Sequence, residues 1–291
     1  MERYTLKDLE SVTGIKSDTI RIWEKRYGIL SPHLTSGKRR FYNDADLIRL
    51  INVSILNRNG TRISKIASMT GRELKEKAAI LSETAATSGD FIGLMLVAMN
   101  RLDEIAVNEA LLKSVIEKGF EATITDVVFP FLRKVGSMWH TGAVNEGTEH
   151  FITAVFRQRL IAALDSLPPA RKNIGKKIIA FLPEGELHEL GLLYYTYLLR
   201  KSGHEVLYLG QSTPLGAVIK IAVRWDPDII VTGMVSDINL KDQKNYLAAL
   251  SLGLKGKKIF VAGILARKAE QLNLPGVFPF FNEEDLMRNL D

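Results

Sequence analysis

Cysteine is absent from this sequence, and its absence removes several classes of function at once. Without thiols the chain cannot form disulfides, ligate an iron–sulfur cluster or sense metals through thiolates. No apolar run approaches the roughly 20 residues that a membrane-spanning helix needs, and the amino-terminal stretch lacks the apolar core of a signal peptide. The sequence therefore predicts a cytoplasmic protein with no membrane partner.

The positive charge of the chain is concentrated in its first quarter. The 291 residues, enough for two or three domains, carry 39 Lys and Arg against 33 Asp and Glu, a net charge of +6. Residues 1–75 hold 15 of the basic and 8 of the acidic residues, a charge of +7, which leaves −1 for the remainder. A basic module on a near-neutral body is typical of a nucleic-acid-binding protein.

This basic quarter has the spacing of a helix-turn-helix. Thr5 is expected to cap a first helix, in an arrangement close to a capping box. A tight turn at Gly14 follows, and Ser17 or Asp18 is expected to cap a second helix, Thr19–Tyr27. Four polar side chains of that helix can face a DNA groove while its apolar residues point inward: Thr19, Arg21, Lys25 and Arg26.

A basic hairpin follows the second helix. The segment 36–42 places Gly37 in a turn beside three basic residues and two aromatic ones. Further helices are predicted to begin near Asn43 and near Ile63. A small helical domain whose basic residues are merely solvated is the alternative. The turn, the hairpin and the segregated charge together weigh against it.

Residues 3–72 resemble the MerR family of winged-helix transcription regulators. The stretch 20–28 (IRIWEKRYG) is similar to the recognition helix of that family, and 39–42 (RRFY) is similar to its wing. The resemblance implies a dimer on a near-palindromic, double-stranded operator. The implied DNA contacts are Arg21, Tyr27, Arg39, Arg40 and Tyr42. The cysteines and long coiled coil of the metal-sensing members are missing from this chain.

A helical region is predicted after the DNA-binding domain, 1–75. Residues 76–88 lose apolar periodicity and are predicted to form a linker. Residues 89–168 then favour a four-helix bundle, because four helical patterns follow one another on short connections. Those helices are predicted at 90–101, 103–118, 121–139 and 145–166.

The connection between the last two predicted helices gathers residues that bind metals or cofactors: Trp139, His140, Glu146, Glu149 and His150. A tryptophan that anchors the bundle is one interpretation. A zinc site of His140, Glu149 and His150 is another, and it is disfavoured because these residues lack the fixed helical spacing of zinc enzymes.

The carboxyl-terminal part, 174–291, alternates short apolar runs with helical patterns. Strands are predicted at 176–182, 205–209, 228–232, 258–261 and 277–278, which is the pattern of a five-stranded flavodoxin-like sheet. The chain is therefore predicted to be multidomain, with α and α/β parts. Such sheets bind ligands at the carboxyl ends of their strands, where the loops carry Gly210, Ser212, Ser236 and Gly263.

The loop after the first of these strands contains Glu186-x-His188-x-x-Gly191. A neutral imidazole is a good ligand for a transition metal, and a carboxylate on its other nitrogen fixes the tautomer. A solvated loop histidine is the alternative interpretation. The spacing resembles the Asp-x-His-x-x-Gly signature of cobalamin-binding domains, in the Glu form found in light-sensing transcription regulators.

That resemblance implies specific roles for the site residues. His188 would be the lower axial ligand of the cobalt, and Glu186 would be hydrogen-bonded behind it. The loop residues after strands two, three and four would form the slot for the nucleotide tail of the cofactor, with hydroxyl donors at Ser212 and Ser236.

The stretch 139–150 is in turn similar to the cap motif of cobalamin-dependent photoreceptors. This similarity implies that Trp139, Glu149 and His150 cover the upper face of the corrin. It also implies that His140 takes the upper cobalt position after photolysis. Glu146 is a departure, because that family has a small apolar residue at this position.

Together the resemblances imply a repressor controlled by adenosylcobalamin and light, which forms a tetramer on DNA in the dark. An enzyme is not expected, because the sequence shows neither a nucleophile–base pair nor a substrate-binding barrel. Three alternatives remain. They are a cobalamin-carrying enzyme subunit, a MerR-type regulator that senses cobalamin or another small molecule without light, and a repressor that has lost its cofactor.

Overall fold

A computed structural model describes residues 4–34, 40–85, 91–140, 144–169, 175–235 and 243–290. At residues 11, 44, 79–85, 137 and 140 it describes the backbone alone. The chain divides into two compact units, Met1–Phe156 and Arg157–Asp291. Within the described ranges, no helix is long and apolar enough to cross a bilayer.

The amino-terminal part of the first unit is a winged helix-turn-helix. Its elements are α1 (Leu6–Thr13), α2 (Ser17–Tyr27), β1 (His33–Leu34), β2 (Arg40–Phe41), α3 (Asp44–Arg58), α4 (Ile63–Ala67) and α5 (Gly71–Ala85). The two strands pair antiparallel and form the wing. The prediction of a capping box at Thr5 is confirmed, since Thr5 and Asp8 exchange both hydrogen bonds of that motif. The helix α3 begins in the same way, with Asn43 and Asp46.

The start of α2 differs from the prediction. Ser17 lies inside the first turn rather than capping it, and Lys16 is the N-cap residue without a side-chain cap. The capping acceptor comes instead from α1, because the Glu10 carboxylate accepts hydrogen bonds from the Ser17 backbone N–H at 3.0 Å and from its hydroxyl at 2.5 Å. These bonds lower the pKa of Glu10. They tie the two helices of the motif together.

Most of the segment predicted as a linker, 76–88, is helical. The helix α5 continues through these residues to Ala85. Its sequence is rich in Ala, Glu, Lys and Leu, which are strong helix formers. The side chains of Leu74 and Ala78 are buried, so packing holds the first half of the helix in place.

The rest of the first unit is helical, as predicted. Its helices are α6 (Phe91–Asn100), α7 (Glu104–Lys118), α8 (Phe120–Thr123), α9 (Phe129–His140) and the first half of α10 (Glu146–Asp165), which continues into the second unit. A π-helical turn, Ile124–Val128, joins α8 to α9, so the third predicted helix is continuous but not regular. Phe131 and Phe156 meet edge to face in the core, with ring centroids 5.6 Å apart.

The second unit is a parallel sheet with helices on both faces. The strands are β3 (Lys177–Pro183), β4 (Glu205–Thr213), β5 (Ile229–Met234), β6 (Lys258–Gly263) and β7 (Val277–Pro279). The helices are α11 (Leu190–Lys201), α12 (Leu215–Trp225), α13 (Gln243–Gly253), α14 (Ile264–Leu272) and α15 (Glu283–Arg288). The strand order β4-β3-β5-β6-β7 confirms the flavodoxin-like prediction. Alternate side chains of β3 and β5 enter two separate apolar cores, as expected for a sheet covered on both faces.

Gly263 is required by the packing of neighbouring strand ends. Its φ of 67° and ψ of −137° lie in a region that only glycine adopts readily. A Cβ atom at this position would lie 2.0 Å from the carbonyl oxygen of Met234, its partner in the sheet.

Gly263→Ala should therefore lower the free energy of unfolding by about 2–4 kcal/mol, measured by urea unfolding of the intact chain.

Gly216→Ala is the matched control for this substitution. Gly216 lies in α12, and a Cβ atom there would meet nothing within 4 Å. Alanine favours helix, so this variant should be unchanged or more stable by about 0.4–1 kcal/mol. Equal unfolding curves for the two variants would contradict the role given to Gly263.

Candidate functional site

The loop after β3 is fixed to the end of the neighbouring strand β4. Gly185, with a φ of 83°, makes the turn, and the backbone N–H of Glu186 donates to the carbonyl of Pro183 at 3.0 Å. The Gly185 N–H donates to the hydroxyl of Ser212 at 3.0 Å. The Ser212 N–H donates in return to the Glu186 carbonyl at 3.1 Å. The loop therefore has a defined backbone conformation at the carboxyl edge of the sheet.

The Glu186 side chain is completely buried and holds the imidazole of His188. One carboxylate oxygen, Oε1, lies 2.6 Å from His188 Nδ1 and accepts the His188 backbone N–H at 2.8 Å. The other oxygen, Oε2, accepts the backbone N–H of Val235 at 2.9 Å. A carboxylate is costly to bury unless it is hydrogen-bonded, and these bonds explain its position.

The same contact selects one tautomer of His188. A carboxylate acts as an acceptor, so Nδ1 carries the hydrogen and the lone pair of the neutral ring lies on Nε2. That is the nitrogen with which a metal would bond. The side chain of His188 is 59 % exposed, and it is therefore accessible from the edge of the sheet.

Two exposed apolar side chains lie close to the Glu186–His188 pair. Leu187 follows Glu186 in the chain and Val235 donates its backbone N–H to the Glu186 carboxylate, and both expose most of their side chains. A Cβ atom added to Gly191, in the first turn of α11, would meet nothing within 4 Å. An imidazole flanked by apolar side chains and a glycine surface fits a large flat macrocycle whose metal takes a nitrogen ligand. The residues present therefore fit cobalamin.

A second buried carboxylate lies directly after the histidine. Glu189 accepts a hydrogen bond from the Tyr208 hydroxyl, and its Oε1 lies 2.5 Å from Arg157 Nε. Burial and this carboxylate together raise the pKa of Tyr208. Glu189 is not among the site residues predicted from the sequence. The one available signal was its position beside His188, because Arg157 and Tyr208 are distant in the chain.

The other residues predicted to bind the cofactor at this edge of the sheet differ in their surroundings. Gly210 and Ser212 lie at the end of β4 with positive φ values of 81° and 46°, and Ser212 faces the Glu186 loop through the bonds described above. Gly263 lies at the end of β6, where strand packing accounts for it. Ser236 lies outside the described residues.

In the first unit, three of the predicted cap residues are described with their side chains. Trp139 lies near the end of α9 and is 43 % exposed. In the first turns of α10, His150 Nε2 lies 3.7 Å from Glu149 Oε2 and 3.8 Å from Glu146 Oε1. Glu149 also accepts a hydrogen bond from the Thr153 hydroxyl at 2.7 Å. Glu146 is therefore a solvated partner of His150 and not a buried charge.

The described part of the chain contains no cluster of side chains that would form the alternative zinc site. Among the side chains that the structure includes, no three His, Asp or Glu come together to hold a metal ion. His140 ends α9, and its side chain is not among those described.

In the winged helix-turn-helix, a third carboxylate, that of Glu24 on α2, connects the wing to this helix. It accepts hydrogen bonds from Arg40 Nη1 of the wing at 3.1 Å and from the Tyr42 hydroxyl at 2.6 Å. Arg40 remains 56 % exposed, whereas Tyr42 is completely buried. Burial and the Glu24 carboxylate raise the pKa of Tyr42. The interpretation of Tyr42 as a DNA contact is therefore wrong for this structure. The Tyr42 side chain is buried and hydrogen-bonded to Glu24, so it connects the wing to α2.

The other predicted DNA contacts are placed at the surface. Arg21 is exposed, with Nη1 3.6 Å from Asp18 Oδ1. Tyr27 is half-buried, and the Arg26 guanidinium lies 5.4 Å from the centroid of its ring. Arg39 falls outside the described residues.

Comparison with known families assigns each part of the chain separately. Residues 4–72 match the model described as MerR HTH family regulatory protein. Residues 176–290 match a B12 binding domain, and residues 95–163 match a second model of that description. The sequence prediction of a MerR-type segment followed by cobalamin-binding parts is thereby confirmed.

Two curated relatives are similar over most of the chain. The HTH-type transcriptional repressor CarH of Myxococcus xanthus is 28% identical over 97% of this chain and 96% of its own length. The HTH-type transcriptional repressor CarA of the same organism is 26% identical over 79% of this chain and 76% of its own. Both are transcriptional repressors and neither is described as an enzyme.

Solved structures support the fold. The monomethylamine corrinoid protein of Methanosarcina barkeri superimposes with a TM-score of 0.56 at 16% identity, over 66% of this chain and 93% of that protein. A likeness at this level of identity shows the architecture alone.

The buried carboxylate of Glu186 can be tested without any ligand. Glu186→Gln keeps the shape of the side chain but replaces one acceptor oxygen with an amide donor, which would face an N–H group. The free energy of unfolding should fall by about 1–3 kcal/mol, measured by urea unfolding.

Glu184→Gln is the control, because Glu184 lies two residues earlier in the same loop and is exposed. Its effect should stay within about 0.5 kcal/mol. A Glu186→Gln variant as stable as this control would show that the carboxylate does not hold the loop.

Proposed function

We propose that this chain, a transcriptional regulator that combines a MerR-type DNA-binding segment with B12-binding segments, is a repressor controlled by adenosylcobalamin and light. The observation that carries the proposal is the Glu186–His188 pair. It places an oriented imidazole at the ligand-binding edge of a sheet, in the same chain as a basic helix-turn-helix.

The cobalamin would be held from below by His188. Glu186 fixes the ring through Nδ1, so that Nε2 would be the nitrogen that ligates the cobalt. Leu187 and Val235 would contact the apolar face of the corrin, and Gly191 would let it approach α11. When bound, adenosylcobalamin supplies a cobalt–carbon bond that visible light breaks.

The nucleotide tail of the cofactor would lie along the loops that end β4, β5 and β6. Gly210 and Gly263 keep the backbone of two of these loops compact. Ser212 and Ser236 would supply hydroxyl groups to the tail. The similarity to CarH and CarA over most of the chain supports this assignment.

The residues at the end of α9 and the start of α10 would form the cap over the upper face. Trp139, which is partly exposed, would contact the upper ligand together with Glu149 and His150, and His140 would become a cobalt ligand after illumination. A ligand shifts assembly only by its different affinity for two states. The dark form of the cofactor must therefore favour a DNA-binding dimer or tetramer, and the illuminated form must not.

A second candidate is a regulator that responds to cobalamin without light. The observation that favours it is the carboxylate of Glu146, which lies 3.8 Å from His150 in the proposed cap. A charged group at this position changes the surroundings of the upper ligand. Operator binding that changes when adenosylcobalamin is added, but is equal in the dark and after illumination, would select this candidate.

DNA binding should depend on the wing. Arg40→Ala removes an exposed guanidinium that would contact a phosphate, so it should weaken binding to every duplex. It should also reduce the slope of log K against log salt concentration by about 0.9. The measurement is a salt series of fluorescence-anisotropy titrations on a duplex selected in vitro with the intact protein.

Arg72→Ala is the control for this prediction. Arg72 is also exposed but lies on α5, where it pairs with Glu76 at 2.8 Å. It should leave both the affinity and the slope unchanged. If Arg40→Ala behaves like Arg72→Ala, the wing does not contact DNA.

Cobalamin binding should depend on His188. His188→Ala removes the proposed lower ligand, so titration with adenosylcobalamin in the dark should show binding weakened at least about 10–100-fold, the loss seen when supporting residues of metal sites are removed. Any cofactor that still binds should show the visible spectrum of a form without imidazole ligation.

His204→Ala removes an imidazole from the amino-terminal edge of the same sheet, where Nδ1 of His204 accepts the Lys176 N–H at 3.2 Å. This control should keep the affinity and the spectrum of the wild-type protein. An unchanged spectrum and affinity in His188→Ala would remove cobalt ligation from the proposal.

A further inference from the structure

The exposed side of α2 contains one large apolar residue among charged ones. Ile22 is 57 % exposed, while its neighbours along the same face, Asp18, Arg21, Lys25 and Arg26, are also exposed. These residues share a face because they lie three or four positions from Ile22 or from each other. Ile22 is therefore at the centre of the surface that the helix-turn-helix presents.

The fold of the segment does not account for this isoleucine. The inward side of α2 is anchored by Ile20, which is almost completely buried. A β-branched residue is a weaker helix former than the Lys, Arg or Glu that occupy neighbouring positions. An exposed isoleucine in the middle of this helix thus lowers helix propensity without contributing its side chain to the core.

The charge around Ile22 indicates what covers it. Residues 1–75 carry a net charge of +7, and three of the four charged neighbours of Ile22 on this face are basic. Such a face is complementary to DNA. In the major groove, the apolar group that a base edge presents is the C5-methyl of thymine, and aliphatic side chains contact it.

We propose that Ile22 is a specificity-determining residue that contacts the methyl group of a thymine in each operator half-site. The inference rests on the proposed DNA-binding function and goes beyond it. The charged neighbours supply affinity for the phosphates and for polar base edges. Ile22 adds a preference for thymine at one position, which those side chains cannot provide.

Uracil substitution tests this contact directly, because it removes the methyl group and leaves the base pair intact. A duplex is selected in vitro with the intact protein, and each thymine is replaced in turn by uracil. For the wild-type protein, one position per half-site should bind about fourfold more weakly, the factor expected for one buried methyl or methylene group. Ile22→Ala should bind the thymine duplex more weakly and should show no further loss at that uracil.

Ile48→Ala is the control, since Ile48 is another exposed isoleucine of the same segment, on α3. It should keep the uracil profile of the wild-type protein. Circular dichroism should show all three proteins equally folded, because both isoleucines are exposed.

Three results would overturn the inference, and each has a different meaning. If uracil weakens the wild type and Ile22→Ala equally at every position, Ile22 does not read a methyl group. If Ile22→Ala alters the oligomeric state but not the uracil profile, the residue belongs to a protein contact. If the intact protein selects no duplex at all, the proposed DNA-binding function fails together with this inference.

Discussion

A carboxylate without solvent exposure, that of Glu186, is the interaction on which the cofactor site depends. Its oxygens join the backbone and ring of His188, in the loop after β3, to the backbone of Val235 at the end of β5. Burying such a group without partners would cost several kcal/mol, so the backbone around it cannot rearrange cheaply. The imidazole is consequently presented in one tautomer and one orientation, as a metal ligand requires.

In the DNA-binding segment, a carboxylate with little solvent exposure likewise fixes its neighbours by hydrogen bonds. The Glu24 carboxylate on α2 accepts hydrogen bonds from the buried hydroxyl of Tyr42 and from the exposed guanidinium of Arg40. The wing is thereby fixed to the helix that would enter the groove. In both places a carboxylate protected from solvent positions a neighbouring side chain that remains exposed for a partner.

Elements with a local signal were predictable from the sequence. The five strands, their flavodoxin-like order and the caps of α1 follow from short patterns in the chain, and so does the pairing of Glu186 with His188 two residues later. Partners across the fold were not predictable. Tyr42 is an aromatic residue in a basic hairpin, and only the approach of Glu24 shows that it is buried. Arg157 and Glu189 are distant in sequence, and periodicity carries no information about such a pair.

The central claim is that adenosylcobalamin and light control operator binding by this chain. The direct measurement is the affinity of the intact protein for a selected operator with adenosylcobalamin in the dark, with the same sample after green light, and with hydroxocobalamin. We predict tight binding and a larger assembly only in the dark adenosylcobalamin sample, with both lost on illumination. Equal affinity and equal size in all three samples would contradict it.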